Sequence, residues 1–105
     1  MSDEKVAMSF FQANIDLPAD LTPEFISLIP EQRARVNELT GEGRIRQYSL
    51  SMDRSKLWVT FLAESEEEVM DMLAGFPLIS YMKFEIVALA FHEQVTLALP
   101  KVSLN

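Results

Sequence analysis

The chain has 105 residues, enough for one core and too few for two, so residues 1–105 are predicted to form a single domain. It carries 9 lysines and arginines against 16 aspartates and glutamates, and this net charge of -7 argues against a nucleic-acid partner. The chain lacks cysteine, an apolar run of the ~20 residues that a membrane span requires, and a recognisable signal peptide. We therefore expect a soluble, cytoplasmic protein without thiol chemistry or a membrane partner.

The segment "MSFFQANIDL" (residues 8–17) predicts the first strand, because apolar and aromatic residues dominate it and a proline follows. Alternation gives it an apolar face and a more polar face. The apolar face carries Phe11, Ala13 and Ile15, and the other carries Phe10, Gln12 and Asn14.

A helix is predicted next, beginning after Thr22, a good N-cap that is followed by proline. Pro30 deletes a backbone hydrogen bond, so we expect a kink or short break near Ile29. The helix should end where Gly41 or Gly43 can take the left-handed conformation.

Two strands, "RIRQYSLSM" and "KLWVTFLA", follow as a hairpin joined by the polar turn "DRS". The segment "SEEEVMDML" predicts a second helix with a capping box of Ser65 and Glu68. We interpret the acidic residues at its start as stabilised by the positive end of the helix dipole rather than as a metal site. A fourth strand, "YMKFEIVALAF", is predicted before the tail 94–105, which is either a fifth strand or an arm over a neighbouring subunit.

This order predicts an α+β fold of the ferredoxin-like βαββαβ type, with an antiparallel sheet and both helices on one face. The second face of the sheet would expose Trp58, Phe10, Val87 and Leu89, a large apolar patch of a kind that monomers rarely show. We therefore expect a homodimer, or a larger homo-oligomer, that assembles through its sheets.

Alternation also divides the side chains of the sheet into two sets. The predicted core set is Phe11, Ala13, Ile15, Tyr48, Leu50, Leu57, Val59, Phe61, Phe84 and Ile86. The set predicted to line a cavity between two sheets is Phe10, Gln12, Asn14, Gln47, Ser49, Trp58, Thr60 and Glu85. Aromatic walls with a few polar groups are typical of small-molecule sites, although the same set is compatible with a polar dimer interface that holds no ligand.

For acid–base chemistry the chain offers His92, Glu38 and Glu85, since an imidazole or a buried carboxylate can move protons near neutral pH. Exposure to solvent is the ordinary alternative for His92 and Glu38. One histidine per chain cannot form a histidine metal site unless subunits share it, and no phosphate loop or nucleophile elbow is present. An enzyme with these residues would act on a small-molecule substrate without a cofactor or metal.

The order "FFQANIDLPADLTPE … NELTGEGRIRQY … ESEEEVMDMLAGFPLISYMKFEIVAL … H" resembles the muconolactone isomerase family from about residue 8 to residue 92. The most specific part is "GFPLISYM", where Pro77 ends the second helix and Leu78 and Tyr81 are predicted to close one end of the cavity. The resemblance implies a ferredoxin-like fold that assembles through its sheets, and proton transfer within an unsaturated lactone without a cofactor.

Residue by residue, the resemblance implies catalytic roles for three positions. Glu38 matches a glutamate at the end of the first helix, Arg46 an arginine of the second strand, and His92 a histidine after the last strand. Phe10 and Gln47 stand where the isomerase has histidines, which argues against muconolactone itself as the substrate. Gln12, Gln47, Ser49, Trp58, Tyr81 and Glu85 are the predicted substrate-binding residues.

Three functions remain open from the sequence. The first is a cofactor-free isomerase that acts on a small unsaturated lactone or carbonyl compound. The second is a cofactor-independent oxygenase of the dimeric α/β-barrel group, with Trp58 beside an electron-rich phenol. The third is a non-enzymatic ligand-binding or assembly module whose cavity is filled by its own side chains.

Overall fold

The computed structural model describes residues 7–92 and has the predicted α+β, ferredoxin-like βαββαβ architecture. The four strands form one antiparallel sheet in the order β2-β3-β1-β4, and the buried residues of both helices pack on one face of it. The elements are β1 (Ser9–Asp16), α1 (Pro23–Gly41), β2 (Ile45–Leu50), β3 (Lys56–Ala63), α2 (Glu66–Ala74), a short 3-10 helix (Ile79–Tyr81) and β4 (Lys83–Ala88).

The core lies between the helices and the sheet, where alternate residues of the two central strands are buried. Phe11, Ala13 and Ile15 of β1 pair with Phe61, Val59 and Leu57 of β3, and all six are at most 6% exposed. The helices close this layer with Phe25, Val36 and Leu39 of α1 and with Val69, Met72 and Leu73 of α2. Burial of each large apolar side chain contributes roughly 1.5–3 kcal/mol, so this layer is the main source of stability.

Helix α1 begins as predicted, because the Thr22 hydroxyl accepts a hydrogen bond from the Phe25 N–H at 3.2 Å. Of the two alternatives predicted near Ile29, a kink or a short break, the break is wrong, since α1 runs from Pro23 to Gly41 without interruption. Pro30 cannot donate to the carbonyl of Ile26, but both residues are exposed, so water can satisfy that carbonyl.

The end of α1 also follows the prediction. Gly43 has a φ of 77°, the left-handed conformation, and the Arg44 N–H then donates to the Leu39 carbonyl at 2.9 Å. None of the helices within residues 7–92 combines the length and the apolarity needed to cross a membrane.

Helix α2 has a modified capping box. The Ser65 hydroxyl accepts from the Glu68 N–H at 3.2 Å, while the Glu68 carboxylate accepts from the N–H of Glu64, one residue before the cap, at 2.7 Å. This backbone N–H and the Arg44 guanidinium, which pairs with Glu68, hold the pKa of Glu68 below its usual value. The cap therefore ties α2 to the start of the β2–β3 hairpin.

Two predicted core residues lie at the edge of the sheet. Tyr48 and Leu50 pair with Val59 and Leu57, and so point to the helix side, but they are 40% and 46% exposed. The assignment of Tyr48 and Leu50 to the buried core is wrong because β2 is an edge strand and an open cavity separates it from α1. Phe84 and Ile86, on the opposite edge, are half-buried against the core.

The fourth strand is shorter than predicted. Residues of the predicted strand 81–91 form the end of the 3-10 helix Ile79–Tyr81 and then β4 at Lys83–Ala88. The Leu89 N–H still donates to the Phe10 carbonyl at 2.9 Å, which extends the contact with β1. The predicted fifth strand or arm, 94–105, lies outside the described residues.

Replacing Ser65 with alanine tests the cap of α2. Loss of the hydroxyl acceptor should lower the free energy of unfolding by about 1 kcal/mol, which urea denaturation can measure. The matched control is Ser80→Ala, an exposed serine in the 3-10 helix whose replacement should change stability by less than ~0.5 kcal/mol. Equal effects of the two variants would contradict the role of Ser65.

Candidate functional site

The face of the sheet opposite the helices, called the open face below, carries two rows of side chains across all four strands. Strand pairing sets one row as Gln47, Thr60, Gln12 and Val87, and the next as Ser49, Trp58, Asn14 and Glu85. Every predicted substrate-binding residue except Tyr81 lies in these rows. Neighbouring strands are ~4.8 Å apart, so Glu85 on β4 and Ser49 on β2 are about 14 Å apart, too far to hold one small molecule together.

A chain of hydrogen bonds links three polar side chains of the open face. The Gln12 amide donates to the Asn14 side-chain oxygen at 2.8 Å, and the Asn14 amide donates to the Glu85 carboxylate at 3.3 Å. The first bond orients the Asn14 amide towards the Glu85 carboxylate, which is exposed rather than buried. Each amide keeps a second N–H that can meet a ligand oxygen.

Glu85 and Asn14 line a cleft of about 600 Å³ at the end of β1, called the open-face cleft below. Trp58 forms one wall, and the charged residues Asp16, Lys56 and Lys83 complete the polar lining. Lys56 donates to Asp16 at 2.6 Å, and this hydrogen bond raises the pKa of Lys56. The cleft thus combines a carboxylate, amide donors, ammonium groups and an aromatic wall.

Apolar side chains also remain accessible on the open face. Trp58 and Val87 are 39% and 41% exposed, and the Phe10 side chain is half-buried. The His92 ring packs on Phe10 with 4.9 Å between ring centroids, which brings the predicted histidine to this face. Its Nε2 atom is buried and has no hydrogen-bond partner within residues 7–92.

The other predicted catalytic residues lie elsewhere. Glu38 is on α1, on the helix side of the sheet, and pairs with Arg35 at 3.0 Å. Arg46 is exposed at an irregularity between Ile45 and Gln47 in the pairing of β2. Within one chain, the structure does not bring Glu38 together with Gln47 and Trp58.

Tyr81, predicted to bind substrate, lies on the helix side, where its ring meets Phe25 edge-on at 5.3 Å between centroids. No group of three or more histidine, aspartate or glutamate side chains within residues 7–92 could hold a metal ion.

A second concavity, called the helix–sheet cavity below, lies between α1 and the β2 edge of the sheet. Its volume is about 330 Å³. The apolar lining residues are Leu17, Leu21, Phe25, Ile29, Val36, Leu50, Leu57, Leu78 and Met82. The polar lining residues are Gln32, Arg33, Asn37, Tyr48 and Arg54.

Gln32 is the buried polar group of this cavity, at 5% exposure. Its Oε1 atom accepts a hydrogen bond from the Leu78 N–H at 3.1 Å, so the orientation of the amide is fixed, but its Nε2 atom has no partner of standard geometry within residues 7–92. Burial raises the pKa of the nearby Tyr48, while the Gln32 amide and the Arg33 charge oppose that shift. Gln32 was not among the residues predicted from the sequence, although it lies seven residues after Phe25 and four before Val36, on the buried face of α1.

The turn 51–55 contributes Arg54 to the lining of the helix–sheet cavity and is held by Asp53. The Asp53 carboxylate accepts from the Ser51 hydroxyl at 2.8 Å, the Ser55 N–H at 3.0 Å and the Ser55 hydroxyl at 2.7 Å. Arg54 has a φ of 63°, a left-handed conformation that costs energy for arginine and that this network stabilises. The network therefore fixes the backbone from which Arg54 reaches the cavity.

The fold and the two concavities define a small α+β domain of the ferredoxin-like class, with one open sheet face and one helix-side cavity. The sequence model of the muconolactone delta-isomerase family matches residues 8–95, so the chain belongs to that family. No curated protein matches the chain in sequence.

The solved structures that match the chain include a muconolactone isomerase and PH0061. A crystal structure of muconolactone isomerase aligns with a TM-score of 0.67 and 24% identity over 85% of this chain and 96% of that one, a likeness that shows the fold alone. The crystal structure of PH0061 aligns over 86% of this chain and 58% of that one, with 11% identity and a TM-score of 0.43, too low to support a conclusion.

The hydrogen bonds around Asp53 predict a pH dependence. They lower the pKa of Asp53 from 3.8 to about 2, with the Ser55 hydroxyl as the largest cause. Because the folded state favours the carboxylate, this stabilisation is present above the unfolded pKa and is lost as the pH falls from about 4 to about 2. Titration of the side-chain carboxyl by NMR should give a pKa near 2, and Ser55→Ala should raise it towards 3.8. An unchanged pKa in that variant would contradict the assigned cause.

Proposed function

We propose that the protein is a cofactor-free isomerase that moves a proton within a small unsaturated lactone or a related carbonyl compound. Membership of the muconolactone delta-isomerase family supports the reaction class. The observation that carries the proposal is the open-face cleft, where the Glu85 carboxylate is held by Asn14 beside an aromatic wall.

In the proposed reaction Glu85 acts as the general base. It removes a proton from the carbon next to the substrate carbonyl, which leaves a protonated carboxyl and a conjugated enolate. The same carboxyl then returns the proton to another carbon of the conjugated system, so the double bond moves and the enzyme is regenerated. The step needs no oxidant, reductant or second substrate.

Polar hydrogens at the cleft would stabilise the enolate oxygen. The second N–H of the Asn14 amide and the Lys83 ammonium both belong to the lining of the cleft, and donors aimed at a developing negative charge lower the barrier. The Trp58 ring supplies a flat wall for an unsaturated ring. The imidazole of His92, next to Phe10 on the same face, is the second group proposed to carry protons.

A second copy of the chain is proposed to cover the open face. Water competes for every charge in an open cleft, whereas two stacked sheets ~10 Å apart would exclude it. The exposed Trp58 ring and the exposed Val87 side chain supply apolar contact area for that interface. A two-fold axis would pair the same residues in both copies.

Isomerisation can be followed by proton NMR in D₂O with a panel of β,γ-unsaturated five-membered lactones. The wild type should move the double bond, and it should incorporate deuterium to the extent that the exposed Glu85 carboxyl exchanges its proton with D₂O before it returns it. Glu85→Gln should slow the shift of the double bond by about 10²–10⁴-fold because the amide cannot accept the proton. The matched control is Glu31→Gln, on the exposed side of α1, which should retain the wild-type rate.

Two results would contradict this assignment. If Glu85→Gln keeps the wild-type rate while His92→Gln loses it, the imidazole is the base. If Glu38→Gln alone abolishes the reaction, the chemistry lies on the helix side of the sheet. Absence of turnover with every lactone would argue against the isomerase itself.

The assembly is tested by sedimentation equilibrium. The wild type should have at least twice the 12.0 kDa mass of one chain, and Trp58→Glu should reduce it to one chain because a charge replaces apolar area on the open face. Met52→Glu, at a 99% exposed position in the turn 51–55, is the matched control and should leave the mass unchanged. A monomeric wild type would contradict the proposal.

A further inference from the structure

We infer that the helix–sheet cavity is a binding site for a small apolar carboxylate, separate from the open-face cleft. The two concavities lie on opposite faces of the sheet, and neighbouring residues of β3 contribute to each: Leu57 lines the cavity and Trp58 lines the cleft. The lining residues of one do not appear in the other, so the two sites can be tested independently.

The size and lining of the cavity indicate a compact, apolar ligand body. Its volume of about 330 Å³ falls at the lower end of the range of ~300–1,000 Å³ that small-molecule sites occupy. Most of the lining is aliphatic or aromatic, and Leu50 stays 46% exposed because no side chain of residues 7–92 covers it. Burial of an alkyl or aryl group against these side chains would be favourable.

The Gln32 amide indicates an oxygen acceptor on the ligand. Because the Leu78 N–H binds its Oε1 atom, the Nε2 donors are the part of the amide left for the cavity. The nearby Tyr48 oxygen does not meet Nε2 in standard hydrogen-bond geometry. A buried N–H without a good acceptor is costly, and protein interiors rarely leave one unsatisfied. A ligand oxygen within the cavity would satisfy it.

The charges of the lining identify that oxygen as part of an anion. Arg33 and Arg54 are both lining residues, and neither forms a salt bridge with a residue in the range 7–92. The lining contains no aspartate or glutamate. In a chain with a net charge of -7, two arginines at one apolar cavity favour a negative group there.

The same composition indicates binding rather than proton transfer. The lining has no histidine or carboxylate, and burial raises the pKa of Tyr48, its phenol, away from neutrality. An aliphatic or aryl monocarboxylate matches every feature: an apolar body for the aliphatic walls, one oxygen for the Gln32 amide and a negative charge for the arginines.

The test uses octanoate as the probe, with 1-octanol and octylammonium as the neutral and cationic analogues. In calorimetry on the full chain, octanoate should bind, and 1-octanol should bind at least about tenfold more weakly. Octylammonium should not bind. In ¹H–¹⁵N spectra, octanoate should shift the signals of Gln32, Tyr48 and Leu78 and leave those of Asn14 and Glu85 unchanged.

Variants of the two arginines then test the anion site without removing a core side chain. Arg33→Gln and Arg54→Asn should each weaken octanoate binding about fivefold, and asparagine is chosen at 54 because it tolerates the left-handed backbone. The matched control is Arg35→Gln, which removes the same charge from α1 but lies towards Glu38 and Gly75, outside the lining, and should bind octanoate as the wild type does.

Three results would overturn the inference: no octanoate binding, equal affinities for octanoate and 1-octanol, or signal shifts confined to the open face. Equal losses in the Arg33 and Arg35 variants would also overturn it, because they would indicate a general charge effect. None of these results bears on isomerisation, which depends on Glu85 across the sheet.

Discussion

The structure depends on the alternation of one central strand. β1 pairs with β3 on one side and β4 on the other, so each of its side chains is committed to the helix layer or to the open face. Ala13, fully buried between its partners Val59 and Ile86, occupies little space at the centre of the core face, whereas Gln12 and Asn14 begin the hydrogen bonds of the opposite face. A shift of this strand by one residue would exchange the two sets and destroy both the core and the polar rows.

The parts of the fold that follow from local rules could be predicted from the sequence. Strand alternation gave the faces of β1, β3 and β4, and the caps Thr22, Ser65 and Gly43 gave the helix boundaries. The open-face residues were predicted as a set because a period of two needs no knowledge of tertiary packing. The sequence could not show which residues of that set line the cleft. That depends on the order of the strands in the sheet and on which rows of side chains are neighbours.

The helix–sheet cavity could not be predicted for a related reason. Tyr48 and Leu50 have the alternation of core residues, and their exposure follows from the distance between α1 and an edge strand, which no local pattern encodes. Pro30 was overestimated as a helix breaker because its cost depends on whether the freed carbonyl meets solvent. Gln32 gave a usable signal, a polar residue at a buried helical position, but its significance required the contact with Leu78.

The irregular pairing of β2 has a consequence for how this chain tolerates insertions and deletions. Ile45 pairs with Phe61 and Gln47 with Thr60, so two steps along β2 match one step along β3, and Arg46 is the extra residue of a bulge. Ile45 is therefore buried while Gln47, two positions later, belongs to the open face. Loss of residue 46 would join two residues that already point to opposite faces and would restore regular alternation. A homologue shorter by one residue at this point could keep both faces of the sheet, whereas the same deletion further along β2 would reverse the faces of the residues beyond it.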